Sequence, residues 1–591
     1  NNITLADVQT WDTSSGTNTN TWNAVTTVSG NISGTGALIA RSSNGSTGAG
    51  TLILSGSNSW TGAPTWALGS GTFMNVGAGG LIVNNGRVQF QGQNSLPSGN
   101  GGSTSYISAQ FAAGAVSTSG LIFSGSATGT ATYSLSSQTS NRSFLMGSNQ
   151  ALVTNPNNTA TTFGAVGGNV LVQGSRMLVN LATSASTGTM AQQEFFVDSG
   201  SRLTLGGAGS ANRFDLVPTF GFDAAGSTTA TAFQNTGTAA VRSRILSVTG
   251  SGVLALGNVN YTGTAGTENT REQFLWRVYA PGVPPNQGNF SASWGGLGPT
   301  LLIDPSSASK SAPYYTLAGG VLGIDNSSGA NTDFRAILLR NFSGTNARPQ
   351  INFDLSTVGN GGARIGGFAA YGQDVKFTNV DTSGAAADIN VNTMFQGGSA
   401  GGQFIFGSLT ADARFEMASN LVGGIGGNAP IVFTVVDNPN SSNDYALISG
   451  VIGNGDRITK NGSGLLEFSA ANTYSTLTLV QSGTLRLSNN AALQNSPLIV
   501  TSGSGVLALS GGLATVTTPT FGGLTGSASL ASFITTGYSG VTLLTLNNSG
   551  SQSFTGDLAN GAAGMHLTKT GTSIQRLGGV NSYTGTTTVS N

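Results

Sequence analysis

Four times in this chain a Gly stands ten residues ahead of an Asn that an aromatic residue soon follows, at Gly48 and Asn58, Gly250 and Asn260, Gly462 and Asn472, and Gly571 and Asn581. An aromatic residue follows each Asn within two positions: Trp60, Tyr261, Tyr474 and Tyr583. Thr-Gly comes next in three copies and Ser475-Thr476 in the other. A unit that returns with fixed internal spacing buries its apolar face against its neighbours, so the repeat dictates a stacked architecture. The copy at 458–487 shows what is stacked. Its apolar runs, Leu465–Phe468, 477–480 and 485–487, are short and bounded by Gly, Ser, Asn or Thr, which marks strands rather than helices.

The expected fold class is therefore all-β, a parallel coil or β-solenoid with short loop or helical insertions. In such a coil each strand pairs with the strand one turn above and below, about 4.8 Å away. Inward residues such as Leu466 and Phe468 stack on their equivalents. Corners need positive φ, which is the reading given to Gly462, Gly464 and Gly483. Asn472 is a corner as well, its amide expected to bond an Asn one turn away. The eight repeat Gly and Asn positions are taken as structural corners. A turn of ~22 residues predicts about 25 turns and a rod on the order of 120 Å long.

A core in one piece stops growing near ~250–300 residues, so 591 residues suit a coil better than a ball. The expected organisation is one elongated domain over 1–591, with an insertion at 264–300. There Thr270-Arg271-Glu272-Gln273 before Phe274-Leu275-Trp276 has the form of a helix capping box, and Pro281 to Pro285 end it. Gly is 90 of 591 and charged residues are only 7 %, which alone would suit disorder. Hydrophobic residues at 38 %, recurring at period two between turns, argue against it. Lys plus Arg and Asp plus Glu each number 22, so no basic stripe exists for nucleic acid. No run of about 18 apolar residues is present to form a spanning helix. Cys is absent, which removes disulfides and thiolate metal sites and suits passage through an oxidising compartment. The chain opens Asn1-Asn2-Ile3, as a processed or partial chain does.

The chemistry-bearing residues are sparse. The single His, His566, matches Arg457 of another copy, an outward polar position. With one His, zinc sites built on several His are excluded. None of Lys310, Lys376, Lys460 and Lys569 follows a Gly, so no phosphate-binding P-loop exists. The denser charged patches are Asp333 with Arg335 and Arg340, Glu268 with Arg271 and Glu272, and Asp374 with Lys376. Each mixes both signs, as a solvated surface does. No catalytic, cofactor or metal site is assigned, and the chain is read as not an enzyme. The run 423–428 is rich in Gly but lacks the Asp of a calcium repeat.

Gly450 to Leu487, with Thr459-Lys460-Asn461-Gly462-Ser463-Gly464 and Asn472-Thr473-Tyr474, resembles the autotransporter-associated β-strand repeat of bacterial passenger domains. So does Leu567-Thr568-Lys569-Thr570-Gly571 running to Asn581-Ser582-Tyr583-Thr584-Gly585. Phe368 to Gly372, after Gly366-Gly367, is similar to a second segment of the same large surface proteins, and Phe290 to Gly295 echoes it. Thr476 stands where that family has Gly. The resemblance implies a right-handed parallel β-helix, exported by a bacterium and extracellular or displayed at the cell surface.

Three functions compete on this reading. The first is a structural rod that self-associates into a filament or coat, its partner being itself, head to tail or laterally. The second is an adhesin passenger holding a binding loop, 264–300 being the expected one, with cell-surface glycans as partners. The third is a β-helix enzyme acting on polysaccharide. The rule that a Gly follows the Asn by eleven residues, as at Gly69 and Gly483, places the last such Gly one past Asn591. The expectation is that Ile3 and Leu5 of one subunit complete the repeat containing Thr587 and Val589 of another.

Overall fold

The protein is described by a computed structural model covering residues 1–13, 25–41, 50–67, 73–75, 78–84, 86–98, 105–110, 118–135, 142–147, 160–180, 192–219, 244–261, 274–279, 298–305, 314–338, 349–353, 364–395, 402–424, 430–453, 455–503 and 505–590. It forms two compact units, Asn1–Asn286 with Gly296–Tyr315, and Gln287–Gly295 with Thr316–Asn591. Short β-rich, Gly-bounded segments become strands that wind as a coil in each unit. The structure is a parallel β-helix.

In the first unit one ladder runs through Val25–Val28, Thr51–Leu54, Arg87–Phe90, Thr118–Ser124, Ala160–Val166, Gln192–Val197, Arg244–Gly250 and Phe274–Tyr279, each parallel to the next. A second ladder contains Ser175–Asn180 and Phe214–Thr219, and a third Asn169–Gln173 and Arg202–Leu205. The chain visits the three ladders in rotation, which makes the coil three-sided. Aromatic rings meet inside it both in register, as Phe90 on Phe123 and Phe163 on Phe195, and diagonally. Rings of Phe90, Phe123, Phe163, Phe195 and Trp276 follow one another at centroid distances of 5.6, 4.8, 6.0 and 5.4 Å. All five are fully buried, worth roughly 1.5–3 kcal/mol each.

In the second unit the turns around the repeat are tightest. Ile458–Asn461, Thr478–Val480 and Leu498–Val500 stack in parallel, with Ile458 facing Thr478 and Thr478 facing Leu498, 20 residues per turn. The neighbouring ladder comprises Asp333–Leu338, Val375–Asn379, Phe415–Met417, Ala446–Ile448, Leu465–Phe468, Thr484–Leu487 and Val506–Ala508. Stacked Phe rings fill the interior. Phe368 lies 5.2 Å from Phe415 at an interplanar angle of 2°, and Phe404 lies 5.8 Å from Phe433 at 20°.

Four expectations need correction. The ~22-residue turn holds near the repeat but not elsewhere: Leu121 faces Phe163, Phe163 faces Phe195 and Phe195 faces Val248, turns of 42, 32 and 53 residues. Longer connections between strands leave fewer turns for the same chain length. The helix expected at Phe274-Leu275-Trp276 is the strand Phe274–Tyr279, because Trp276 and Val278 both face the core at period two. Gly462 and Gly483 have φ of 78° and 67°, but Gly464 does not have positive φ. Gly464 is instead crowded, since a Cβ there would lie 2.8 Å from Val435 Cγ1. Asn472 does not bond another Asn; its amide bonds backbone, as follows.

Candidate functional site

The repeat corners come first, because they set the register of everything outward. Asn472 is buried, accepts a hydrogen bond from Ile452 N at 2.8 Å and donates to Ala492 O at 3.0 Å. Asn58 does the same between Ile32 N and Ser95 O. One side chain thus ties three successive turns. Asn260, by contrast, lies within the strand Val259–Tyr261 and bonds Asp215 at 3.1 Å. Asn581 is exposed and donates to Gly579 O. Gly250 and Gly571 have φ of 91° and 79°, and Gly48 lies outside the described residues.

The Lys of the repeat has a role the sequence did not reveal. Lys460 sits at a core-facing position, between Phe433 and Val480 in register, and is fully buried. Its Nζ donates to Asn461 O, Gly462 O and Ser482 O at 2.7, 2.9 and 3.1 Å. Lys569 repeats this with Thr570 O and Gly571 O at 2.5 and 2.9 Å. The corner carbonyls that a left-handed Gly turns inward are satisfied by an ammonium group. Burial pushes the Lys460 pKa down to about 7. The motif Tyr likewise bonds the Thr four residues on, Tyr474 to Thr478 at 2.7 Å and Tyr583 to Thr587 at 2.6 Å.

Charge gathers on one face of the second unit. Asp333, Lys376, Glu416, Leu447, Glu467 and Arg486 occupy one outward column on successive turns. Arg335, Asp374, Arg414 and Tyr445 flank it. Eight charged residues thus share this face, out of 22 basic and 22 acidic in the whole chain. On the adjoining ladder the outward residues over these turns include Gln403, Val432, Thr434, Thr459 and Leu479, none charged. Arg414 Nη2 meets Asp374 Oδ2 at 3.0 Å and Arg335 Nη1 meets Asp333 Oδ2 at 3.5 Å. The half-buried Tyr445 ring lies between two guanidinium groups, Arg486 at 4.7 Å and Arg414 at 5.9 Å.

Glu467 is outward by register yet wholly buried, because the segment 510–517 crosses over it. Glu467 Oε2 accepts from Arg486 Nε and Nη2 at 3.1 and 2.5 Å. Its Oε1 accepts from Leu513 N at 2.8 Å and from the Ser488 hydroxyl. Arg486 Nη1 donates to Gly511 O at 2.8 Å. Burial alone would raise the Glu467 pKa, but the Leu513 amide, the Ser488 hydroxyl and the Arg486 guanidinium outweigh it and hold the carboxyl low.

The sequence paired Asp333 with Arg335 and Asp374 with Lys376 but did not bring the two pairs together. The readable signal was parity: Val375-Lys376-Phe377, Phe415-Glu416-Met417, Leu466-Glu467-Phe468 and Leu485-Arg486-Leu487 each set a charge between two core residues. Arg340, Glu268, Arg271, Glu272, Phe290 to Gly295 and 425–428 lie outside the described residues. His566 is exposed, with Nδ1 at 2.7 Å from Thr586 Oγ1. Among the described residues no three of His, Asp and Glu are grouped to hold a metal ion, and no helix is long and apolar enough to cross a membrane.

The corners of this parallel coil are thus built by recurring Lys, Gly, Asn and Tyr residues. Residues 47–90, 458–487 and 567–591, roughly a sixth of the chain, match the Passenger-associated-transport-repeat family. These are repeats of autotransporter passengers, a class of exported surface proteins. The copy at Gly250 and Asn260, where the Asn no longer ties turns, is outside the matched segments. No curated protein and no solved structure matches the chain.

Proposed function

We propose that the protein is an extracellular structural coil that adds to further copies of itself end to end. The supporting observation is the surface of the last described turn of the second unit. Ile574, Val580 and Val589 are 59, 71 and 72 % exposed there. The strand Thr587–Val589 pairs with His566–Thr570 along one edge, and no partner lies along its other edge among the described residues. In the first unit Ile3–Leu5, Gln9–Asp12 and Val25–Val28 likewise pair, among the described residues, only with the following turn. Open edges of parallel ladders template another strand, and a contact between two different surfaces need not close into a ring. Zero net charge removes long-range repulsion.

Purified protein should sediment as a concentration-dependent series of polymers and show filaments by electron microscopy, and Val589→Asp should return it to monomer. Monomeric wild-type protein, or peptides beyond Asn591 in the mature protein, would overturn self-association; in the latter case a further turn covers this surface. The reading includes no catalysis. Polysaccharide cleavage by pure protein, lost on changing Asp333 or Glu272, would defeat that part.

An adhesin passenger is the second reading. It is favoured by the 42- and 53-residue turns of the first unit, which carry far more chain than a 20-residue coil turn uses. Segments between strands on a rigid scaffold are common binding elements. Deleting 220–243 should then abolish attachment of displaying cells while leaving polymer formation intact.

A further inference from the structure

We propose that the charged face of the second unit is a binding strip for an uncharged, hydroxyl-rich linear glycan, engaged at Asp374, Arg414, Glu416 and Tyr445. It rests only on the chain being displayed outside the cell, which both readings above share.

Stability does not account for these charges. Asp374 and Arg414 form a partly exposed pair, with side chains 54 and 22 % accessible, and such pairs contribute little to folding. On the adjoining ladder the outward positions from Gln403 to Leu479 carry no charge, so the concentration on this face is local. What the strip offers is planar hydrogen-bonding groups beside an aromatic ring. Arg414 Nη1 donates to the Tyr445 hydroxyl at 3.5 Å, which together with the Asp374 contact fixes the guanidinium plane beside the ring. Glu416 holds Ser449 at 2.6 Å and is half-exposed. Successive rows stand about 4.8 Å apart, close to the length of one sugar residue, so a chain lying across the strands would meet one row per sugar. Toward higher residue numbers the strip is closed by the segment over Glu467 and Arg486, which bury each other's charge.

The ligand class follows from the balance of sign. Asp333, Asp374 and Glu416 offset Arg335, Lys376 and Arg414, so the accessible strip has no net charge and no preference for a polyanion. Hydroxyl groups, which both donate and accept, suit alternating carboxylate and guanidinium groups.

The test is calorimetric titration and retention of the purified 591-residue chain on β-1,4-linked glucose and N-acetylglucosamine hexasaccharides and on mannan, with polygalacturonate and heparin as acidic counterparts. The expected result is retention by at least one neutral glycan, persisting at high salt. Arg414→Ala and Tyr445→Ala should each weaken it about tenfold or more with an unchanged melting temperature, and Arg414→Lys should not restore it, because the planar fork is lost. Retention by none of the neutral glycans, by acidic glycans only, or equally by folded variants would overturn the assignment. Protease shaving of intact cells checks display separately, so a cytoplasmic chain and a glycan-blind chain give different results.

Discussion

Lys460 shows how a single residue joins the repeat motif to its energetics. Its ammonium fills a corner where three carbonyl oxygens converge, and its stem lies in the core between Phe433 and Val480. Its folded pKa of about 7 stands well below the unfolded value of 10.5. Between these values the unfolded chain holds the extra proton, so stability rises with pH from about 7 to 10.5 and is flat below that window. The gain is on the order of 5 kcal/mol. Urea unfolding of the second unit, followed by Tyr and Trp fluorescence at pH 6 to 10.5, should show this rise, and Lys460→Met should remove it. An equal slope in both proteins would exclude Lys460 as the source.

At the scale of elements, the strands were legible and their spacing was not. Leu465–Phe468 and Thr484–Leu487 are written in the sequence as apolar alternation between turn residues, and they pair as that pattern requires. Turn length is not so written. Backbone pairing fixes which residues face each other but places no limit on the loop between strands, so the 53 residues from Phe195 to Val248 look like several turns. The Phe274–Tyr279 strand was misread because a polar Thr-x-x-Gln start precedes strands as readily as helices when no longer periodicity follows. The charged face was half legible, through the parity of Lys376, Glu416, Glu467 and Arg486. The cover over Glu467 was not, because Gly511 to Leu513 make their contacts with backbone atoms that no side-chain pattern records. Two outcomes follow for that cover. Glu467→Gln leaves Arg486 buried without its counter-ion and should cost about 3–5 kcal/mol. Because the folded carboxyl titrates below its usual 4.5, its contribution is present above that pH and is lost as pH falls further. Urea midpoints between pH 3 and 7 should therefore fall on the acid side in the wild type and flatten in the variant.

At the scale of the whole molecule, each unit is a stack in which a turn touches little beyond the turns before and after it, and Asn472 and Asn58 fasten three turns at a time. The unequal turns have a mechanical consequence. The hydrogen bonds between strands lie along the direction of stacking, so tension on the chain ends peels one turn before it loads the next. Each release lengthens the tether by the contour of that turn, at roughly 3.5 Å per residue. Turns of 20 residues near Ile458 and Thr478 would yield steps of about 70 Å, and the turn from Phe195 to Val248 about 180 Å. Force spectroscopy should record a staircase of unequal steps rather than one rupture, so that under shear the protein pays out slack in increments as short as the turns near Ile458 and as long as the turn from Phe195 to Val248.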